Sequence, residues 1–489
     1  MSLTLNDPEL LKNLAYVNGE WVGAASGATF AVTNPATGEL LAEVPDMDAT
    51  DTLKAIDAAE AAWADWRETP CKQKAALLRR WYDLVIAAQE DLARLLTAEQ
   101  GKPLAEARGE IAYGASYIEW FAEEAKRVYG DTIPAASGDK RLVVIKQPVG
   151  VVGAITPWNF PNAMIARKIA PALAAGCPVV GKPAEDTPLS SLALAVLAER
   201  AGIPAGLINI VTSSRANAAA VGSALTGSDK VRKISFTGST AVGKILMKQA
   251  ADSVKKVSME LGGNAPFLVF DDADLDAAVE GVIASKYRNT GQTCVCANRI
   301  IVQSGVYEAF VTKLAERVKQ FRVGNGLEVS DAVQGPLINS AALAKVERHV
   351  KDALEKGARL ILGGKAHALG GTFYEPTILA DVTTDMCVTY EETFGPVAPV
   401  YRFETEAEAV ALANDTEFGL AAYFYSRDIG RVWRVAESLE VGIVGINEGI
   451  ISSEMAPFGG IKQSGQGREG SLYGLDDYLE IKYLCMGGI

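Results

Sequence analysis

Histidine is the scarcest reactive residue in this chain. Two occur in 489 residues, His349 and His367. Neither lies in a glycine-bounded turn, and the charged run from Lys345 to Lys356 predicts that His349 is a solvated helix residue. A Cys-His protease pair is therefore a poor fit. Cysteine is sparse as well. The six, at positions 71, 177, 294, 296, 387 and 485, make no CxxC pair and no zinc-ligand spacing, so no metal is expected. They are also too few for a disulfide framework in so long a chain, which suggests a reducing, cytoplasmic setting.

A basic surplus is missing too. The net charge of −13 disfavours non-specific binding to nucleic acid or to an acidic membrane, so neither is an expected partner. No uncharged apolar run reaches the ~18 residues that a membrane-spanning helix needs. Met1 to Leu14 contains Asp7 and Glu9 and has no apolar stretch of the secretory kind. Internal repeats and low-complexity segments are absent. What remains is an ordinary globular composition, 49% apolar and 22% charged, with length for two or three domains and a large core.

Along the chain, Tyr16 to Trp21 and Thr29 to Val32 read as short extended segments, and Ala49 to Gln100 as helical. Trp63, Trp66 and Trp81 fit core or interface positions. Ile111 to Tyr129 is a further amphipathic helix, and Arg141 to Pro148 a strand closed by proline. From Val149 onward, short apolar runs (149–155, 178–180, 207–211, 231–236) alternate with helix-length segments (163–175, 190–201, 217–225). That alternation predicts a parallel sheet covered by helices, with a ligand beyond the carboxyl ends of its strands. A second α/β region begins after Glu260. The acidic run Asp271 to Asp274 lacks the glycine and the bidentate Glu of a calcium loop, Ala277 and Ile283 standing there, and reads as a helix N-terminus.

Three glycine patterns compete for a phosphate role. Gly465-Gln466-Gly467-Arg468-Glu469-Gly470 matches G-x-G-x-x-G, yet it follows polar residues and leaves too little chain for a βαβ unit, so it reads as a loop. Gly238 to Lys244 resembles a P-loop, but Ile245 occupies the magnesium-binding Ser/Thr position. The remaining reading is a strand, a turn at Thr237-Gly238-Ser239 and a helix, whose free N–H groups suit a pyrophosphate. Without further context a plain connection explains it equally.

The reactive candidates are three. Cys294 lies in the polar junction Asn289-Thr290-Gly291-Gln292-Thr293-Cys294-Val295-Cys296, with nothing beside it in sequence to make an apolar pocket. A lone cysteine is otherwise most often buried and inert. Glu260, between Met259 and Leu261 before Gly262-Gly263, suggests a partly desolvated acid, or equally a cap or surface charge. Asn159, in Thr156-Pro157-Trp158-Asn159-Phe160-Pro161, is fixed at a strand exit, where its amide could donate to an oxyanion or cap its own turn.

Taken together, these segments resemble the aldehyde dehydrogenase superfamily over essentially the whole chain. Tyr287 to Arg299 is similar to the succinate-semialdehyde dehydrogenase branch in particular. The resemblance implies two α/β parallel-sheet domains. These are a Rossmann-like cofactor domain from 1–123 and 147–258 and a catalytic domain over 259–470. A small β oligomerisation excursion from 124–146 and 471–489 completes the fold, pairing with the tail of another subunit in a homodimer or homotetramer.

It further implies Cys294 as nucleophile, Glu260 as the base that activates water, and Asn159 with the Cys294 N–H as oxyanion donors. Trp158, Gly238, Ser239 and Gly243 would serve the cofactor, Lys182 and Glu185 its adenosine ribose, and Glu392 and Phe394 its nicotinamide end. A carboxylate accepts ribose hydroxyls but repels a 2′-phosphate, so Glu185 argues for NAD over NADP, with NADP still possible. Arg167, Arg288 and Ser453 match positions that hold a substrate's distal carboxylate, with Ser452 a neighbouring alternative and Glu454 an extra acid nearby. A surface salt bridge is the other reading of Arg288. Cys296 is a candidate redox partner for Cys294, across one residue and hence strained.

The expected reaction is NAD(P)-dependent oxidation of succinate semialdehyde to succinate. Glutarate semialdehyde or another ω-carboxy aldehyde is the alternative within the class, since one methylene discriminates weakly. A cofactor-independent thiol esterase, using Cys294 and Glu260 alone, and a non-catalytic protein are the alternatives outside it.

Overall fold

The computed structural model describes residues 3–488. Two large sheets and one small one organise them. In the first, five parallel strands run in the spatial order Ile208–Ile210, Val179–Lys182, Val151–Ile155, Val231–Thr237, Lys256–Glu260. The order reverses between Val151–Ile155 and Val231–Thr237, which is the switch point of a doubly wound sheet. Ligands bind beyond the strand carboxyl ends at such a crevice. Leading out of those two strands are the segments carrying Asn159 and Gly238. The strands are short and buried on both faces, as a helix-covered parallel sheet requires.

Antiparallel pieces close both edges of this sheet. At one edge lies the hairpin Ala15–Val17 and Glu20–Val22. At the other lies Gly465–Gln466, paired with Glu260 and Met259. The glycine-rich segment expected to be a loop therefore begins as an edge strand. It completes the first sheet rather than the second.

The second sheet runs Arg359–Leu362, Thr377–Ala380, Val397–Phe403, Ala297–Gln303, Ala265–Val269, Ala421–Tyr425, Ile443–Ile446, parallel except for its first strand. The third is Leu479–Gly487, Lys140–Pro148, Asp131–Ile133. Here the tail pairs along its whole length with Lys140–Pro148 of its own chain. The expected exchange with another subunit's tail is not how these two segments meet. An antiparallel partner 331 to 347 residues distant in sequence has no local signature.

Helices follow their caps. Asp48, Asp274 and Asn339 each accept an N–H from the first turn of the helix they open, and Gly101 and Gly176 end theirs with φ of 94° and 101°. The helix expected over 111–129 spans Leu104–Glu124. Trp66 and Trp81 are core residues, each donating its indole N–H to a backbone carbonyl, while Trp63 is half-buried. The helix Pro161–Ala175 is buried on every side and carries Arg167 and Lys168. Charges so placed require a buried counter-charge, and Glu469 supplies it.

Candidate active site

Glu260 ends the strand Lys256–Glu260, and Gly262-Gly263 follow at once. A Cβ on Gly263 would stand 2.4 Å from the Cys294 carbonyl oxygen. Only a residue without a side chain lets the Glu260 turn and the cysteine loop approach so closely. The cysteine loop is itself strained. After Leu275–Val282 and a wider turn over Ile283–Tyr287, Asn289 (φ 52°, ψ 37°) and Thr290 (φ 59°, ψ 29°) are consecutive left-handed residues. A β-branched Thr in that region is an outlier that its surroundings must hold, and such strain gathers at functional sites. Thr290 is held by its hydroxyl, hydrogen-bonded to both the carbonyl and the N–H of Gly335 at 3.2 Å.

Cys294, Glu260 and Asn159 line one cavity of about 390 Å³. Trp158, Glu185, Gly238, Ser239, Glu392 and Phe394 line it as well. The rings of Trp158 and Phe394 meet edge to face, 5.5 Å between centroids, and brace one wall. Contrary to the polar surroundings expected from its neighbours in sequence, Cys294 packs against the apolar cluster that includes Val295, Leu420 and Phe458. Burial pushes its thiol up to about 12, opposed by Arg167 and reinforced by Glu392, Glu260 and Cys296. Cys296 is buried, its thiol 3.5 Å from the Lys286 carbonyl, and both sulfurs are free.

Glu260 is 2% exposed, and neither carboxylate oxygen has a hydrogen-bond partner among the described residues. Burial holds its carboxyl well above the usual range. Glu469 adds to this, while Arg167, Lys168 and Arg468 pull the other way. A buried acid with unused oxygens facing a cavity is placed to hold and move a proton of a water molecule. Asn159 is fixed twice. Its side-chain amide donates to the Gln292 carbonyl at 3.0 Å, and its own carbonyl accepts from Lys102 Nζ at 2.8 Å and Asn289 Nδ2 at 2.9 Å. One amide hydrogen is left for another acceptor.

At the far end of the same cavity, Glu185 lies beside Asp186 and Arg215. Burial and the Glu185 charge push the Asp186 carboxyl up to about 6. Glu392 accepts the Gly263 N–H at 3.2 Å, and burial raises its carboxyl to about 7. Two expected cofactor residues stand elsewhere. Gly243 packs its helix against Leu261, where a Cβ would come within 2.4 Å, so it serves packing rather than the cavity lining. Lys182 is buried and donates to the Pro183 carbonyl at 3.2 Å.

The expected carboxylate group divides. Arg288 stacks over Phe160 at 4.9 Å and has no ion pair or hydrogen bond among the described residues. It lines a second cavity, of about 280 Å³, with Tyr113, Phe160 and Ser452. Ser453 is outside that lining. Its hydroxyl accepts the Met455 N–H, so Ser452 is the serine that faces Arg288. Arg167 is 1% exposed, ion-paired with Glu469, and stacked 4.6 Å from Phe458. Its charge is already answered, and it is not the free clamp the sequence suggested. Glu454 accepts from Ser116 Oγ at 3.3 Å and lines neither cavity.

His349 is also corrected. It is fully buried, with Nδ1 3.1 Å from Thr393 Oγ1 and Nε2 3.2 Å from Glu391 Oε2, and burial lowers its pKa. Its helix, Ser340–Glu355, is charged on one face only, and His349 is on the other with Val346, Val350 and Ala353. The buried charges Lys102, Glu110 and Glu469 and the half-buried Glu106 were not foreseen. Glycine and proline around Lys102 mark a turn, and nothing in the sequence marks an ion pair.

Comparison with known proteins extends this geometry. The family model described as "Aldehyde dehydrogenase family" matches residues 21–484. A 3-sulfolactaldehyde dehydrogenase of Pseudomonas putida is 64% identical over 487 residues, covering 100% of this chain and 99% of its own. A glutarate-semialdehyde dehydrogenase of Pseudomonas aeruginosa is 63% identical over 487 residues, covering 100% of both chains. An NADP(+) succinate-semialdehyde dehydrogenase of Escherichia coli is 62% identical over 485 residues, covering 99% and 100%. The crystal structure of a succinate-semialdehyde dehydrogenase from Burkholderia pseudomallei superposes with a TM-score of 0.97 at 64% identity, covering 99% and 100%. The likeness to these relatives runs over essentially the whole length of the chain. The chain belongs to the aldehyde dehydrogenase family and is an oxidoreductase.

Proposed function

We propose that this protein oxidises a short aldehyde bearing an anionic group at its far end, succinate semialdehyde foremost, through a thioester on Cys294. The observation that carries the choice of substrate is Arg288, a guanidinium without an ion pair or hydrogen bond among the described residues, which shares a cavity with Ser452, Tyr113, Glu106 and Glu110. A planar fork of donors over an aromatic ring suits a carboxylate. The printed substrates of the relatives, succinate semialdehyde, glutarate semialdehyde and 3-sulfolactaldehyde, support the same class.

The cavity fits a dinucleotide. Gly238 and Ser239 open the helix Thr240–Ala251 at the sheet's switch point, so free N–H groups and the positive helix end face the cleft. Trp158, Glu392 and Phe394 would hold the nicotinamide end and Glu185 the adenosine ribose. When bound, the cofactor supplies the acceptor for the hydride that leaves the carbonyl carbon. The cofactor proposed is NAD, because Glu185 and Asp186 together oppose a 2′-phosphate.

The chain's own residues do the rest. Cys294 gives its proton to solvent water in the cleft and its sulfur bonds to the aldehyde carbon. The free Asn159 amide hydrogen and the Cys294 N–H receive the oxyanion. Loss of hydride leaves an acyl group on Cys294. Glu260 then takes a proton from water as the oxygen attacks the thioester carbon, and the carboxylic acid departs as the sulfur is released. Hydrolysis of esters without cofactor uses the same thiol and acid, and is an expected side activity.

The test compares kcat/KM for succinate semialdehyde, glutarate semialdehyde and an uncharged aldehyde of similar length, with NAD and with NADP. Arg288→Ala is expected to lower kcat/KM for both acids by about 10- to 100-fold, the worth of a charge-assisted contact, and to spare the uncharged aldehyde. An equal loss on all three substrates would remove the clamp. Higher kcat/KM with NADP would overturn the cofactor assignment.

A further inference from the structure

Asn159 follows a strand of the first sheet and Cys294 precedes a strand of the second. Their alignment is fixed by a buried network rooted in a third place, the segment 102–110 at the start of the helix Leu104–Glu124. Lys102 is fully buried, and its ammonium uses every direction it has. It donates to Glu110 Oε2 at 2.6 Å and to the Asn159 carbonyl at 2.8 Å, and it stands 3.7 Å over the Phe160 ring. The other oxygen of Glu110 accepts the N–H groups of Asn162 (3.0 Å) and Ala163 (3.2 Å), the first turn of the helix that follows Asn159. Lys102 and Glu110 therefore grip the oxyanion loop at its carbonyl and at its exit.

Glu106, one helical turn before Glu110, grips the other loop. Its Oε2 accepts the N–H of Asn289 at 2.7 Å. Asn289 is left-handed, so its N–H and side chain point where an ordinary turn residue would not send them. Its Nδ2 bridges the Asn159 carbonyl at 2.9 Å and the Gln292 carbonyl at 3.2 Å, two residues before Cys294. The Asn159 amide donates to that same Gln292 carbonyl. Two carbonyls thus collect four hydrogen bonds from three donor groups, Lys102 Nζ, Asn159 Nδ2 and Asn289 Nδ2, the last on a residue whose N–H Glu106 holds.

We propose that Lys102, Glu106 and Glu110 are positioning residues that align the Asn159 amide with the Cys294 sulfur for acylation, a reading that rests on the thioester chemistry proposed above. A structural ion pair alone is a poor reason for two buried charges, Lys102 and Glu110, with the half-buried Glu106 beside them, since apolar residues of similar volume are often as stable. A network that sets the spacing of a donor and a nucleophile gives them a purpose, because a misplacement of about 1 Å costs roughly 10²-fold in rate.

The test uses the full-length enzyme with Lys102→Met, Glu106→Ala and, as reference, Asn159→Ala. Four quantities are measured for each: kcat for the semialdehyde, the Kd of NAD, the melting temperature, and the rate of Cys294 alkylation by iodoacetamide. Alkylation makes no oxyanion, so it reports the nucleophile without the donor. Lys102→Met and Glu106→Ala are expected to lose about 10²-fold in kcat while NAD binding and alkylation keep wild-type values. Should Lys102→Met fail to fold, Glu106→Ala decides alone. Wild-type kcat in Lys102→Met or Glu106→Ala, beside a disabled Asn159→Ala, would overturn the positioning role and leave the chemistry standing. Parallel loss of kcat, NAD binding and alkylation would overturn it as well, reducing the network to structural support. Full turnover by Asn159→Ala would instead strike the acylation chemistry itself.

Discussion

Cys294 and Glu260 both have their protonated forms favoured by their surroundings, and the reaction needs both as bases. Burial is the first cause in each case, raising the thiol to about 12 and the carboxyl well above its usual range. The sign follows directly. A raised pKa extends the protonated form to higher pH, and the basic form grows as pH rises toward that pKa. The rate of thioester hydrolysis, measured in single turnovers, is therefore expected to climb with pH from neutrality upward. Glu260→Gln has no proton to lose at that position and is expected to flatten the climb. An unchanged profile in Glu260→Gln would assign the limb to another group.

At this scale the sequence was legible where a residue type is rare for its setting. Alone, an acid between Met259 and Leu261 before two glycines reads as a cap or surface charge; beside Cys294 and Asn159 it reads as a desolvated acid, and Glu260 lines the cavity with both oxygens unused. Legibility failed where the partner is remote. Arg167 reads as an anion clamp until Glu469, 302 positions away, is seen to hold it. Ser452 and Ser453 are alike in sequence, and only the backbone decides which one shares a cavity with Arg288.

Among the elements, strand ends do the positioning. The strands Val151–Ile155, Val231–Thr237 and Lys256–Glu260 are hydrogen-bonded side by side, so Asn159, Gly238 and Glu260 emerge along one edge of one sheet. The alternation of short apolar runs with helices announced that sheet before any coordinate did, because both faces of each strand are buried. The hairpin at one edge was announced by Tyr16 to Trp21, and the piece at the other edge was not. Gly465–Gln466 has two residues and no apolar pattern, and its place is set by pairing with Met259 and Glu260. The Gly262-Gly263 turn is the joint between the sheets. Gly263→Ala would press a methyl group against the Cys294 carbonyl oxygen at 2.4 Å. Overpacking of this kind costs about 1–3 kcal/mol, so a melting temperature lower by several degrees is expected, together with slowed acylation of Cys294. Wild-type values for both would show that the joint tolerates a gap.

For the whole molecule, the exposed edge strand Leu479–Gly487 presents Ile481, Tyr483, Leu484 and Met486 to solvent. A long apolar edge is a template for pairing unless another chain covers it. Light scattering of the full chain is expected to report more than one subunit, and removal of residues 480–489 is expected to shrink the particle. A monodisperse monomer would assign this edge some other cover. No helix among the described residues is long and apolar enough to cross a membrane.

The thioester on Cys294 is the claim on which the rest depends, and Glu260→Gln offers the means to catch it. With its hydrolysis step disabled, the enzyme mixed with succinate semialdehyde and NAD is expected to release about one NADH per active site. Mass spectrometry of the digest then finds the acyl group on the peptide containing Cys294. Continued turnover of that variant with an unmodified Cys294 peptide would contradict the account.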